Sequence, residues 1–148
     1  MAERLNPRLT ELVESGRIVK FSRAPTLVAK ELRAAQRDLE EAHSSLHRES
    51  FKWCTIQAYY SMFHSGRALL YAAGYREKSH AALAIALECL YTEEGKLRKR
   101  ITDGLVFGKE LRENADYRED FSAEGAQALV RSAEEMLDAA RALVSPGE

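Results

Sequence analysis

Proline is scarce in this sequence: three residues in 148, all toward the edges of the chain. With so few obligate breakers, long helices can run through the interior. Cysteine is rarer still. Cys54 and Cys89 fall inside expected helices without metal-like spacing, so a disulfide framework is not expected, and both read as small buried thiols in a reducing cytosol. Net charge is missing too: 22 basic against 23 acidic side chains leave −1, which removes a global electrostatic footprint for nucleic acid and confines any phosphate contact to a local cluster. No apolar run approaches the roughly 20 residues needed to cross a bilayer. The opening Met1-Ala2-Glu3-Arg4-Leu5-Asn6-Pro7 holds no apolar signal core. A cytoplasmic protein without membrane association is expected. Alternating strand patterns, internal repeats and low-complexity segments are absent as well.

What the chain has is Ala, Leu, Glu and Arg at helical spacing. Hydrophobic residues make up 45% and charged ones 30%, a balance that suits one globular domain rather than a disordered or membrane chain. The reading is all-α: an up-and-down helical bundle of four to five long helices plus a short N-terminal helix. Residues 1–24 are expected to form that helix and an arm, and residues 25–148 the bundle.

A first helix begins at Pro7 with Asn6 as N-cap and stops at Gly16. The segment Arg17-Ile18-Val19-Lys20-Phe21 is expected to be an extended arm laid on the bundle, with a short strand as the other option. A second helix runs from Pro25 to His47, where Val28, Leu32, Ala35, Leu39, Ala42 and Leu46 repeat as a coiled-coil-like seam. The link Arg48-Glu49-Ser50 is short enough to force an antiparallel return. The third helix then reaches Gly74. Ser79 caps a fourth, with Leu83, Ala86, Leu87 and Leu90 inward, broken near Glu94-Gly95. A fifth spans Lys96 to Asp116, where Gly104 and Gly108 either loosen the helix or admit another element. Ser122 caps a sixth, whose stripe is Ala126, Leu129, Ala133, Met136, Ala140 and Leu143.

The third helix carries the densest information. Trp53, Ile56, Tyr60, Phe63, Arg67 and Leu70 follow a 3, 4, 3, 4, 3 spacing, which describes an amphipathic helix with a cation set into its apolar stripe. A guanidinium there must be paired, snorkel to water, or face a ligand.

The run from Trp53 to Leu83, WCTIQAYYSMFHSGRALLYAAGYREKSHAAL, followed by LRENADY from Leu111 to Tyr117, resembles the HEPN domain superfamily, most closely its small stand-alone prokaryotic members. The similarity covers residues 26 to 144. The resemblance implies a homodimeric helical bundle, often encoded beside a small nucleotidyltransferase in a toxin–antitoxin-like or nucleotide-binding module. It also implies three alternatives for activity: partner of the transferase, metal-independent ribonuclease toxin, or purely structural dimer. In the ribonuclease branch an Arg is followed after four to six residues by a His, commonly with a Tyr beyond it, at the dimer interface. Arg112 matches the Arg and Tyr117 falls near the His or Tyr, but no histidine follows Arg112. By the same resemblance Tyr117 is a candidate site for AMP addition by the transferase.

Four further residues are candidates for ligand binding. His64 and Arg67 share a helix face with Tyr60 and Tyr71, a set suited to a nucleotide: rings to stack on, a cation for phosphate, a switchable donor. The alternative is core packing, which is preferred for Tyr60 and Phe63. Lys78 and His80 lie in the turn from Gly74 that leads into a helix start, a setting for an anion, or else for a plain glycine stop and serine cap. Arg112 would hold a phosphate, or pair with Glu113, Asp116 or a partner-chain carboxylate, while Tyr117 would supply a hydroxyl or cap the helix end. Asp38, Glu40 and Glu41 form an acidic patch expected to reach Arg67 or Arg112. The basic run from Lys96 to Arg100 reads as a solvated face. His43 and His47 are spaced for a metal but lack carboxylates, so neither a metal nor a cofactor is expected.

Overall fold

The computed structural model describes residues 6–144. The opening residues 1–5, where no signal core is expected, and residues 145–148 of the expected bundle lie outside the described residues. Among the described residues the chain forms six α-helices and one two-stranded antiparallel ladder, in the order α1 (Pro7–Glu14), β1 (Ile18–Lys20), α2 (Val28–His47), α3 (Phe51–Ala72), β2 (Tyr75–Glu77), α4 (His80–Leu87), α5 (Lys99–Arg118) and α6 (Ala123–Val144). It is an all-α bundle, and no described helix is long and apolar enough to cross a membrane.

Local chemistry sets most of the boundaries. The Asn6 side chain accepts from the Arg8 and Leu9 amides at 2.8 and 3.4 Å, with Pro7 opening α1 behind it. Gly16 ends the helix at φ +76°, a conformation that side chains with a Cβ resist. The arm expected next is a strand: Ile18, Val19 and Lys20 pair with Glu77, Arg76 and Tyr75. Its partner lies beyond two helices in sequence, so no local pattern announces the pairing. A single 3₁₀ turn, Ala24–Leu27, takes up the Pro25 start, and α2 proper begins at Val28.

The α2–α3 hairpin turns through Glu49 at φ +60°. Along α2 the seam buries Ala35, Leu39 and Ala42 and half-buries Val28, Leu32 and Leu46, while two polar residues beside it, Glu31 and Ser45, are buried as well. The amphipathic expectation for α3 fails in an instructive way. This helix is packed by α2, α4, α5 and α6 and is buried on almost every side, while Trp53, expected on the inward stripe, is exposed. An enclosed helix has no wet face for a periodic pattern to mark.

Around α3 the core is closed by Leu83 and Leu87 of α4 and by Leu129, Met136 and Leu137 of α6. The α6 stripe is buried as the spacing predicts from Ala126 to Ala140, with Leu143 half-buried at its end. Two glycines permit the tightest approaches. A Cβ on Gly66 would meet Leu87 Cδ1 at 2.9 Å and Met136 Cε at 3.1 Å, and one on Gly108 would meet Leu129 Cδ1 at 3.0 Å. Gly108 therefore admits a neighbour rather than loosening α5. Cys54 and Cys89 are buried and free, and burial pushes the Cys54 thiol up to about 11. In the basic run, Lys99 pairs with Asp103 at 2.9 Å and Arg100 with Glu135, consistent with a solvated, compensated face.

Replacing Gly66 by Val should force Leu87 and Met136 out of place and cost about 1–3 kcal/mol by overpacking. The check is a lower urea midpoint at an unchanged slope.

Candidate functional site

Two polar centres line the buried middle of α3. At the first, Arg67 Nη2 and Nε donate to Glu77 Oε2 at 2.6 and 3.0 Å, and Nη1 lies 3.8 Å from Glu31 Oε1. The guanidinium also covers the Phe63 ring at 4.6 Å. Burial opposes the Arg67 charge, and the bond and field of Glu77 more than offset it, so its pKa is raised. Glu31 further engages His64, whose Nδ1 is 2.7 Å from its Oε1, with Asp38 Oδ2 at 3.7 Å from Nε2. The carboxylates that meet Arg67 are therefore Glu77 and Glu31. The acidic patch expected to reach it does not: Asp38 touches only His64, while Glu40 bonds Gln36. His64 and Arg67 share one face as the spacing predicts, and both are already engaged by carboxylates.

The second centre joins α3, α4 and α5. Tyr59 and Tyr60 are adjacent, so their side chains diverge by about 100° around the helix. Tyr60 turns toward α5, where its hydroxyl accepts from Arg112 Nη2 at 2.8 Å. Tyr59 turns toward α4, where its hydroxyl lies 2.6 Å from His80 Nδ1. The Ser79 side chain caps α4 by accepting from the Ala82 amide at 3.0 Å, and His80 follows as the first helical residue. Its ring stacks on Phe63 with centroids 4.2 Å apart. Burial, then the charge of Arg112, lowers the His80 pKa, with Glu77 acting weakly the other way. Burial also raises the Tyr59 pKa. The pair is thus a neutral phenol against a neutral imidazole near pH 7.

Arg112 is the less satisfied of the two buried arginines. Its side chain is 16% exposed, Asp116 Oδ2 stands 3.5 Å away, and its Nε is buried with no hydrogen-bond partner. The Tyr60 and Tyr117 rings lie 5.3 and 5.5 Å from its Cζ. Tyr117 itself is 71% exposed at the end of α5. Glu113, offered by the sequence as a partner for Arg112, bonds Lys109 at 2.8 Å instead. Lys78 is exposed, and the turn before it is largely β2, with Gly74 at φ +88° as the helix stop. His43 is matched by Glu134 at 2.7 Å.

Beside this centre a cleft of about 400 Å³ opens between α4 and α5, bordered by Tyr59, His80, Ala84, Ile85, Leu105, Val106, Lys109 and Glu113. Sequence reasoning missed it, and missed that His80 lies within the field of Arg112. The available signal was the Tyr59-Tyr60 pair, two phenols that one helix must aim at two different neighbours.

The enclosed α3, the helices around it and the arginine–histidine centre between them define a single all-α bundle domain with an internal polar site. The chain belongs to the HEPN domain family, whose match spans residues 28–144. It is similar to a UPF0332 protein of Thermotoga maritima, 29% identical over 116 residues that cover 76% of this chain and 86% of the relative. It is also similar to "Putative toxin MJ0605" of Methanocaldococcus jannaschii, 27% identical over 105 residues, covering 70% of this chain and 78% of the relative.

Two predictions follow from the charges. Arg67→Met should strand the Glu77 carboxylate in the interior and cost about 3–5 kcal/mol in urea denaturation, and adding Glu77→Leu should recover most of the loss. For His80 the folded pKa lies below the ordinary 6.5, so the unfolded chain takes up the proton first as pH falls. Stability should drop as pH falls from about 6.5 to the folded value, and the urea midpoint of the wild type should fall further between about pH 7.5 and 5.5 than that of His80→Gln.

Proposed function

We propose that this HEPN protein is the toxin-like member of a toxin–antitoxin-like module: a homodimer that engages nucleotide phosphate through Arg112 and is controlled by a cognate nucleotidyltransferase acting at Tyr117. The observation that carries the reading is the incomplete satisfaction of Arg112, whose buried Nε lacks an acceptor while its nearest carboxylate stands off at 3.5 Å. A buried donor without a partner costs about 1–3 kcal/mol, and an incoming oxyanion that lets the fork re-seat relieves that cost. Planar guanidinium donors suit phosphate in bidentate geometry. Tyr117 supports the second half of the reading, because a phenol that is 71% exposed beside this arginine is open to another protein's active site. Val106 and Phe107, both more than half exposed on α5, support a second copy covering that helix. The toxin name of one relative supports the class.

A second reading, metal-independent RNA cleavage, is favoured by one observation. His80 of α4 and Arg112 of α5 each bond one of two adjacent phenols, Tyr59 and Tyr60, whose rings meet edge to face at 5.5 Å, and this reading takes His80 for the histidine that the sequence lacks after Arg112.

Calorimetric titration with ATP and GTP should give binding that Arg112→Ala weakens at least about tenfold, the scale of one lost charge-assisted hydrogen bond. Absence of heat would remove the phosphate reading. Incubation with labelled tRNA and mRNA should leave the RNA intact, whereas cleavage that disappears in Arg112→Ala would move the assignment to the ribonuclease. Co-expression with a small nucleotidyltransferase should add AMP to the wild type and not to Tyr117→Phe, as read by mass spectrometry.

A further inference from the structure

We propose that the groove between the start of α2 and the end of α6 is a docking site for an acidic amphipathic helix of a partner protein, held by Arg33, Arg37 and Arg141. The proposal is independent of the phosphate reading of Arg112, which lies on α5.

Two antiparallel helices make the groove. His43 of α2 meets Glu134 of α6, and earlier on α2 Gln36 accepts from Arg141 Nη2, later on α6, at 2.5 Å. The space at that end is about 440 Å³, lined by Ala29, Leu32, Arg33, Gln36, Arg37 and Arg141. On α2 these residues recur every three or four positions, so they form one face about 12 Å long. Its apolar part is Leu32, half-buried, and Ala29, exposed.

Charge carries the argument to a partner. Half of the lining is cationic and none of it is acidic. Arg33 and Arg37 stand at i and i+4, a like-charge pair that disfavours the helix on its own. Elsewhere Arg8, Arg67 and Arg100 close on carboxylates. The acids bordering this stretch of α2 are engaged otherwise: Asp38 Oδ2 is 3.7 Å from His64 Nε2, and Glu40 accepts from the Gln36 amide at 2.9 Å. Only the field of Arg37 reaches Asp38. One helical turn, about 6 Å, separates Arg33 from Arg37, which is also the rise between carboxylates at i and i+4 of a helix laid alongside. Arg141 offers a third donor fork from α6. An acidic helix with an aliphatic residue over Leu32 and Ala29 answers both the charge and the apolar part, as in helix-in-groove recognition. Nucleic acid fits less well, because no aromatic side chain lines the groove to stack a base.

The test is fluorescence anisotropy on the full chain with labelled helical peptides that share one Leu face and carry Glu, Gln or Lys beside it, together with a labelled uridine oligonucleotide. The proteins are wild type, Ala29→Trp and the double variant Arg33→Glu/Arg37→Glu, all changed at exposed positions. The Glu peptide should bind wild type about tenfold tighter than the Gln peptide, and the advantage should shrink as salt rises. The double variant should lose the Glu peptide and gain the Lys peptide, an exchange that misfolding does not produce. Ala29→Trp should weaken the Glu peptide by filling the apolar part of the groove. No binding, equal binding of the Glu and Gln peptides, or Glu-peptide binding indifferent to either variant overturns the proposal. An oligonucleotide that binds tighter than the Glu peptide and is lost in the double variant assigns the groove to nucleic acid and overturns it too. A wild-type dimer that dissociates in the double variant by light scattering assigns the groove to a second copy, with the same consequence.

Discussion

A guanidinium on a helix enclosed from nearly every side has to meet carboxylates, and the pairing of Arg67 with Glu77 and Glu31 organises much of the molecule around it. Glu77 belongs to β2, so the charge on α3 holds that strand against the bundle. β2 in turn pairs with β1, which ties the N-terminal segment to the same point through Ile18 opposite Glu77. Three residues beyond Glu77, His80 starts α4 under its serine cap, and its ring lands on Phe63, one helical turn from Arg67 on α3. The compensation of one buried charge thus sets where the histidine of the second centre stands. Glu31 performs the matching task from α2, and by holding His64 as well it lets a buried carboxylate sit beside the apolar seam of that helix.

The same residue type meets opposite conditions only a short way along the bundle. Arg67 has two close hydrogen bonds to a carboxylate whose side chain is 5% exposed, with a second carboxylate behind it. Arg112 is held by a neutral phenol and two aromatic rings, with its carboxylate at a distance and one donor unmet. The first pair is expensive to open, because either half is left charged in a poor solvent, although Glu77 Oε1 is itself buried without a partner. An arginine held chiefly by a neutral hydroxyl and ring faces keeps most of its electrostatic capacity for an anion. The partners, not the depth of burial, make one arginine structural and leave the other available.

Legibility in the sequence followed the range of the interactions. The seams of α2 and α6, the Asn6, Ser79 and Ser122 caps and the glycine stops are local, and spacing alone exposed them. The β1–β2 ladder was read as an arm because its partner lies far along the chain. The stripe on α3 was misjudged at Trp53, since a helix surrounded on all sides loses the contrast that periodicity measures. The misfit of Arg67 was visible, but which acids answer it depends on topology: Asp38, Glu40 and Glu41 are as acidic as Glu31 and Glu77 and lie in the wrong place. At the second centre the spacing after Arg112 says nothing of His80, which arrives from α4. Chain order is a weak guide where one helix aims adjacent residues, such as Tyr59 and Tyr60, at two different neighbours.

Arg112 and the Tyr59–His80 pair share one electrostatic field. Arg112 bears on His80 as the largest cause after burial that keeps the imidazole neutral. An anion seated on Arg112 cancels part of that field, so the His80 pKa rises toward its ordinary value when phosphate is bound. The coupling is reciprocal by linkage: a proton on His80 strengthens the field felt by the anion by the same free energy with which the anion favours the proton. Burial is untouched by the exchange and remains the larger effect, so the imidazole stays on the neutral side at neutral pH in both states. On the proposed reading, phosphate at Arg112 would therefore tune the histidine without charging it, and the Tyr59–His80 hydrogen bond would keep its two neutral partners.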